Sequence, residues 1–350
     1  MKPTIDEINT DINSPWFEVR NTTTGRGCIS KCEIPKDTVI HISKALSSAI
    51  SRPFKKEVCS SCFKFSGGQT LKFRLGGQLL LYFCSEQCLS AFTEEDIDQI
   101  YLDTLLNVEN YYNNGLKKSD EPELALNEEE FDQQIIDEWK KVNEWEEKID
   151  KMKASKRLNS IPKIGESEYI EAKYIVGILF QMYKGKHKEL KYFESLQSNE
   201  FDKLKKYPQL LQSYTNIYKF VKLTAHTGFQ PLITSELVRK ILGTNLTNAF
   251  GIWSQPVNDA EEKDYFGFAI YPSASFFNHS CDPNLVKTRE GDTLYFKALK
   301  DIDPNTELFI SYGNYSNENV QIRQEQLKEW FFNCLCTKCI TELGMKLECK

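Results

Sequence analysis

Cysteine spacing sets the first boundary condition on this fold. Seven of the eleven cysteines in the 350 residues fall into two groups, Cys59-x-x-Cys62 with Cys84-x-x-x-Cys88, and Cys334-x-Cys336-x-x-Cys339. Two short-spaced pairs, each on a tight turn, can bring four thiolates to one tetrahedral point. The glycine pairs Gly67-Gly68 and Gly76-Gly77 between the halves of the first group favour such turns. That group reads as a structural zinc site; two coincidental pairs of buried cysteines is the plainer alternative. Its second pair opens the segment SEQCLSAF, of helical character, and a helix N-terminus favours thiolates. The C-terminal group offers three ligands where a structural zinc takes four. Cys28, Cys32, Cys281 and Cys349 are the candidates for the fourth, and Cys281, in the unusual stretch FFNHSCDPN, is selected. Such a zinc would tie the tail to that loop. Cys28 and Cys32 are expected to be small buried fillers of a strand, and Cys349 to be free.

The N-terminal segment MKPTIDEINTDINSPW is polar and acidic and lacks the apolar stretch of a signal peptide. The thiols are therefore expected in a reducing compartment, the cytoplasm, the nucleus or both. A composition of 40% hydrophobic and 27% charged residues fits a globular chain long enough to bury a sizeable core. The net charge of −6 argues against a general nucleic-acid binder. No apolar run approaches the roughly 18–20 residues that cross a bilayer. A monomer with neither nucleic-acid nor membrane partners is expected.

Residues 16–46 read as short strands, in FEV, GRGCIS and DTVIHIS. Residues 94–114 read as one helix, with Ile97, Ile100, Tyr101, Leu105 and Val108 near helical period. In the charged stretch 115–165, Trp139, Val142, Trp145 and Ile149 recur at steps of three and four, predicting an amphipathic helix flanked by linker. Ile170, Tyr174, Ile175, Ile178, Leu179 and Met182 predict a buried helical stripe; Leu237, Val238, Ile241 and Leu242 predict another. Strands return in YFGFAIY, NLVKT, TLYFKAL and ELFISY, and a helix from Val320 to about Trp330 precedes the last cysteines. Strands at both ends with helices between them predict an α+β domain whose sheets draw on distant segments.

Three short stretches stand out: Gly25-Arg26-Gly27, the run Asn278 to Asn284 (NHSCDPN), and Glu307 to Tyr312 (ELFISY). Each alone is weak, since a tight turn, a loop histidine or a strand-end tyrosine explains it. In this order, ahead of a C-x-C-x-x-C tail, the set resembles the SET domain of protein lysine methyltransferases. The first cysteine group, between the first SET segment and the rest, resembles a MYND zinc finger. The chain is thus similar to the SET-MYND (SMYD-type) methyltransferases from about Trp16 to Cys339. Further matches lie at NAFGIW (248–253), AIYPSASFFNHSCDPN (269–284) and RQEQLKEWFFNCLCTKC (323–339).

The resemblance implies a SET fold of small β-sheets with a pseudoknot-like C-terminal thread, an inserted MYND-like finger and an inserted helical region. The expected divisions are 1–46, first SET segment; 47–95, finger; 96–230, helical insert with an acidic linker at 115–165; 231–320, SET core; and 321–350, post-SET helix and zinc-binding tail. S-adenosylmethionine is the implied methyl donor. Thr24, Gly25 and Arg26 would hold its methionine end. Asn278 and His279 would bind it, partly through backbone groups, with Asn248, Ser275 and, more remotely, Leu196 as further contacts. Phe332 would pack on the adenine, Trp330 and Phe250 would line the lysine channel, and Tyr312 would be the catalytic orienting residue. The implied partner is a protein bearing the target lysine. A catalytically silent scaffold is the alternative, against which Tyr312, Asn278 and His279 are all present.

Two departures from the family pattern carry expectations of their own. The usual MYND finger has eight ligands and two zincs, whereas this chain keeps only those matching the first site. One zinc is expected there, giving two zinc sites in all. Animal members continue into a C-terminal helical domain; this sequence stops eleven residues after Cys339, so a short, fungal-like form with a more open cleft is expected. The acidic insert reads as a solvated face, or as a surface that attracts lysine-rich substrates.

Overall fold

The computed structural model describes residues 2–23, 25–77, 81–115, 131–254, 263–313 and 317–344. The strands, in chain order, are β1 (Phe17–Thr22), β2 (Gly25–Ser30), β3 (Val39–Lys44), β4 (Ser47–Ile50), β5 (Phe73–Leu75), β6 (Leu81–Phe83), β7 (Ala249–Trp253), β8 (Tyr265–Ile270), β9 (Asn278–His279), β10 (Leu285–Glu290), β11 (Thr293–Ala298) and β12 (Glu307–Ile310). The chain divides into two compact units: Met1–Ala45 with Lys188–Leu196 and Tyr271–Lys350, and Leu46–His187 with Gln197–Ile270. Small sheets drawn from remote segments, with helices between them, give the α+β architecture expected of a SET fold.

The first unit begins with a helix, Ile5–Ile12, that the polar reading of the N-terminus passed over. Thr4 and Glu7 form a reciprocal capping box, with the Glu7 N–H donating to the Thr4 hydroxyl at 3.2 Å and the Thr4 N–H to the Glu7 carboxylate at 2.8 Å. Asn9 then pairs with the Val19 backbone at 2.7 and 2.9 Å, joining the helix to β1. One sheet has the order β1-β2-β12-β9 and the other β10-β11-β3. Strand β12 pairs antiparallel with β2 and parallel with β9, so three stretches remote in sequence lie side by side. Phe17, Val19, Cys28, Leu308 and Ile310 are buried beneath that sheet.

Segment 188–196, read from sequence as part of the helical insert, belongs to this unit. The cause is a buried polar joint. The Glu189 carboxylate receives the Ser273 N–H at 2.7 Å and the Ser43 hydroxyl at 3.1 Å, and the Ser273 hydroxyl also meets His41 Nε2 at 2.9 Å. This joint fixes the start of the loop that carries Ser275, Asn278 and His279. Burial pulls the His41 imidazole down to about 4, so it is neutral near pH 7.

In the second unit, strands β4-β8-β7 form a three-stranded sheet and β5-β6 a hairpin. The helix expected over 94–114 is two helices, Glu86–Glu95 and Ile100–Gly115. The break is local chemistry: the Asp96 carboxylate accepts the Tyr101 and Leu102 N–H groups at 3.0 and 2.7 Å, capping the second helix, and Ile97 is 74% exposed. Within 115–165, helix Phe131–Asp150 buries Trp139, Val142 and Ile149 as the spacing predicts and leaves Trp145 half-buried, while 116–130 lie outside the described residues. Helices Glu166–Lys184 and Ser235–Asn248 carry the two predicted stripes. No described helix is long and apolar enough to cross a membrane.

Candidate functional site

The β1–β2 hairpin turns on Gly25, whose φ of +112° is a conformation that side chains resist. Two residues on, Gly27 faces the neighbouring strands. A Cβ there would lie 2.8 Å from Asn278 Nδ2 and closer still to the Glu307 carboxylate. The glycine therefore lets three strands converge. Asn278 Nδ2 spans the gap, donating to the Arg26 carbonyl at 3.1 Å and to Glu307 Oε1 at 2.9 Å. Both N–H directions are thus assigned, which fixes the orientation of the carboxamide. A Gly27→Ala variant is expected to lose about 1–3 kcal/mol of stability through overpacking, read as a lower urea midpoint at unchanged slope. An unchanged midpoint would mean that Glu307 and Asn278 move aside freely.

The Arg26 side chain is committed within the same unit. Its guanidinium donates to the Ser195 carbonyl and lies 5.4 Å from the centroid of the Phe276 ring. That contact carries segment 188–196, with buried Leu196, onto the hairpin. Ser275 sits on the short turn Ala274–Phe276 just ahead of Asn278, with its hydroxyl 3.3 Å from the Tyr271 carbonyl.

His279 joins the strand end to the cysteines. Its Nδ1 accepts the Tyr312 N–H at 3.1 Å, so the ring proton is on Nε2, which lies 3.3 Å from Cys281 Sγ. Burial pulls its imidazole down to about 4, which keeps this neutral tautomer. Both ring nitrogens thus have partners within the chain, Tyr312 on one side and Cys281 on the other.

Tyr312 follows β12 and is half-buried. Its hydroxyl donates to the Phe277 carbonyl at 3.2 Å. Burial raises its ionisation above the ordinary phenol value, and the nearby Cys28 and Glu307 push the same way. Its ring lies 5.3 Å from His279, 6.0 Å from Trp330 and 6.2 Å from Phe332. Beside it, Lys287 Nζ donates to the Ser311 carbonyl at 2.8 Å, and burial pulls that ammonium down to about 8. Asn284, closing the NHSCDPN run, holds β12 through the Glu307 carbonyl and the Phe309 N–H, both at 2.8 Å.

The sulfurs of Cys281, Cys334, Cys336 and Cys339 lie within 4.8 Å of one another, as do those of Cys59, Cys62, Cys84 and Cys88. Separations of 3.5 Å (Cys281–Cys339) and 3.9 Å (Cys281–Cys334) bracket the roughly 3.8 Å edge of a tetrahedron with metal–sulfur bonds of about 2.3 Å. In the other group, Cys62–Cys84 at 3.5 Å and Cys84–Cys88 at 3.7 Å fit equally well. Each group can hold a metal ion. Cys281 thus joins the three tail cysteines as the spacing argument expected, and Cys28 is buried in β2, whereas Cys32 is only half-buried. Around the C-terminal group, Tyr312, Trp330 and Phe332 pack against Val320, Leu327 and the buried cysteines.

In the second unit, Asn248 ends its helix with its side-chain amide on the Thr244 and Gln197 carbonyls at 2.9 and 3.3 Å, and Phe250 lies in β7. Thr24 and Cys349 fall outside the described residues. Sequence spacing assigns no role to Glu307, Asn284, Glu189, Ser273 or Arg323, because single polar residues carry no spacing signal. A cavity of about 50 Å³ beside Lys55, Glu109, Tyr169 and Lys173 of the second unit is lined by none of the candidate site residues.

A family model of the SET domain matches residues 25–313. A yeast (Saccharomyces cerevisiae) protein described as "Potential protein lysine methyltransferase SET6" is 31% identical over 360 aligned positions, covering 94% of this chain and 96% of its own. A SET and MYND domain-containing protein of Dictyostelium discoideum is 38% identical over 106 residues, 30% of this chain and 26% of its own. "N-lysine methyltransferase SMYD2-A" of Danio rerio is 38% identical over 85 residues, 23% of this chain and 19% of its own. With the convergent hairpin, the Asn278–Tyr312 cluster and the two cysteine groups, these matches make the chain a member of the SET-domain family, in its SET-MYND-like branch.

Proposed function

We propose that this chain is an S-adenosylmethionine-dependent protein lysine N-methyltransferase holding one zinc in each cysteine group. The observation that carries the reading is the joint of Asn278, His279 and Tyr312 beside the glycine hairpin. Its parts come from β2, β9 and β12, and hydrogen bonds fix each of them. Gly25, Arg26, Asn278, His279 and Phe332 would hold the cofactor, with Ser275 as a further contact. The open φ at Gly25 and the room kept by Gly27 suit close approach of a ligand to the backbone. When bound, S-adenosylmethionine supplies an electrophilic sulfonium methyl group for an amine to displace.

The chain itself supplies position and dry surroundings. Tyr312 is a poor base, because its hydroxyl donates to a carbonyl and its ionisation is raised. It orients and polarises instead. Trp330 and Phe332, held by the C-terminal cysteine group, pack beside its ring. A substrate lysine must shed its proton before it attacks, and low-dielectric walls favour the neutral amine. The exposed Asp137, Glu144, Glu147 and Asp150, with the net charge of −6, support a lysine-rich protein as substrate.

The test is calorimetric titration of zinc-replete protein with S-adenosylmethionine, beside an Asn278→Ala variant. Saturable binding by wild type, weakened roughly tenfold in the variant, is the expected result. A well-folded wild type that does not bind the cofactor would sink the reading.

A further inference from the structure

The two cysteine groups differ in their cationic company. Arg323, on helix Val320–Leu327, is 1% exposed. Its Nη2 lies 3.5 Å from Cys339 Sγ and 2.9 Å from Glu342 Oε2, and its Nη1 donates to the Glu318 carbonyl at 2.6 Å. Its Nε is buried without a hydrogen-bond partner. A guanidinium this deep is costly unless negative charge compensates it. The Glu342 carboxylate is one such charge, but at 37% exposure it is partly screened by solvent. Four thiolates around a divalent cation leave a net charge of −2, and three of these four cysteines are buried. The guanidinium and the thiolates therefore each lower the cost of burying the other. The same cluster accepts the His279 Nε2–H through another sulfur, Cys281.

Among the described residues, no cationic side chain donates to the sulfurs of the first group. Hydrogen bonds at the sulfurs of Cys59, Cys62, Cys84 and Cys88 come, among the described residues, from backbone groups and from the cysteines themselves, while the Cys88 N–H donates to the Ser85 hydroxyl. Three of its four cysteines are half-buried rather than buried. Water and a competing chelator reach those sulfurs more easily.

We propose that Arg323 is the counter-ion of the C-terminal metal centre. Through its N–H···S contact it stabilises the buried thiolate charge, so that this centre keeps its zinc after the finger centre has released its own. The proposal rests on the reading that each cysteine group holds zinc and is independent of methyl transfer. Arg323 is a positioning residue here: it acts on the metal ligands, which in turn hold Trp330 and Phe332 against Tyr312.

The experiment follows zinc transfer from the full-length, zinc-loaded protein to an excess of a metallochromic pyridylazo dye at neutral pH. Wild type is expected to release zinc in two equal phases, and Cys59→Ser is expected to remove the fast one. Arg323→Met, of similar length but uncharged, should speed the slow phase about 10- to 100-fold and leave the fast phase unchanged. Arg323→Lys, which keeps the charge, should restore most of the difference. A slow phase unchanged in Arg323→Met would overturn the proposal. So would Arg323→Lys releasing as fast as Arg323→Met, since packing alone would then explain the effect. If Arg323→Met does not fold, Arg323→Lys decides: slow release supports the counter-ion, and release at the finger's rate refutes it. Zinc-free purified protein would overturn the metal reading beneath the proposal, whatever the calorimetry with S-adenosylmethionine shows.

Discussion

A Tyr312→Phe enzyme is expected to bind S-adenosylmethionine as wild type does and to transfer methyl about a hundredfold more slowly. The substitution keeps the ring, and with it the contacts to His279, Trp330 and Phe332 at 5.3–6.2 Å. Cofactor affinity should therefore hold. What disappears is one fixed hydroxyl dipole, anchored on the Phe277 carbonyl at 3.2 Å. Removing one preorganised polar group of this kind lowers turnover by about 100- to 1,000-fold in dry active sites. Single-turnover rates set beside calorimetric affinities separate the two effects. A rate within a few-fold of wild type would show that Tyr312 only fills space. The pH profile adds a second check. The phenol's ionisation is raised, by burial first and by Cys28 and Glu307 after it. Deprotonation of Tyr312 thus has no part in the rise of rate with pH, and wild type and variant should share the shape of that rise. A rise present only in wild type would instead assign the tyrosine as a base.

The legible part of this protein was what local pattern encodes. Cys59, Cys62, Cys84 and Cys88 announce one tetrahedral site by spacing alone, and the helices around Trp139 and Ile175 follow from period. Cys281 required an argument by ligand count, because 53 residues separate it from Cys334. Where reading failed, the deciding partner was either very near or very far. Asp96 breaks the expected helix by capping the next one five and six residues on, a competition between side chain and backbone that an apolar stripe does not reveal. Glu189, Ser43 and Ser273 make their joint across as many as 230 residues, and nothing about a lone glutamate in GKHKELKYF marks it as buried. The capping box of Thr4 and Glu7 was readable, yet a helix of eight residues is weak until Asn9 meets β1. His279 shows the same limit at the site itself. Its place in the motif was evident, but the assignment of its two nitrogens comes from Tyr312 and Cys281, which only the folded chain brings within 3.3 Å.

Substitution of Cys281 by serine should carry the second large effect, because that residue belongs to the metal centre and stands two positions from His279. A structural zinc contributes about 10–16 kcal/mol over four ligands, so one thiolate accounts for about 3 kcal/mol, on the order of a hundredfold in zinc affinity. After dialysis against a chelator weak enough to leave wild type with both zincs, Cys281→Ser is expected to retain one zinc per chain. The same change deprives His279 Nε2–H of its sulfur partner and loosens the core of Val320, Leu327, Cys334 and Cys339 on which Tyr312, Trp330 and Phe332 pack. Affinity for S-adenosylmethionine should then fall at least about tenfold, the loss of an aromatic wall and of one hydrogen bond together. Cys59→Ser also leaves one zinc per chain, but among the described residues the partners of Tyr312 are His279, Phe277, Trp330 and Phe332, so its cofactor affinity should stay near wild type. Equal losses in the two variants would mean that zinc acts on the site through overall stability. A loss confined to Cys281→Ser would mean that the C-terminal zinc acts there as a clamp, holding the aromatic tail where His279 and Tyr312 need it.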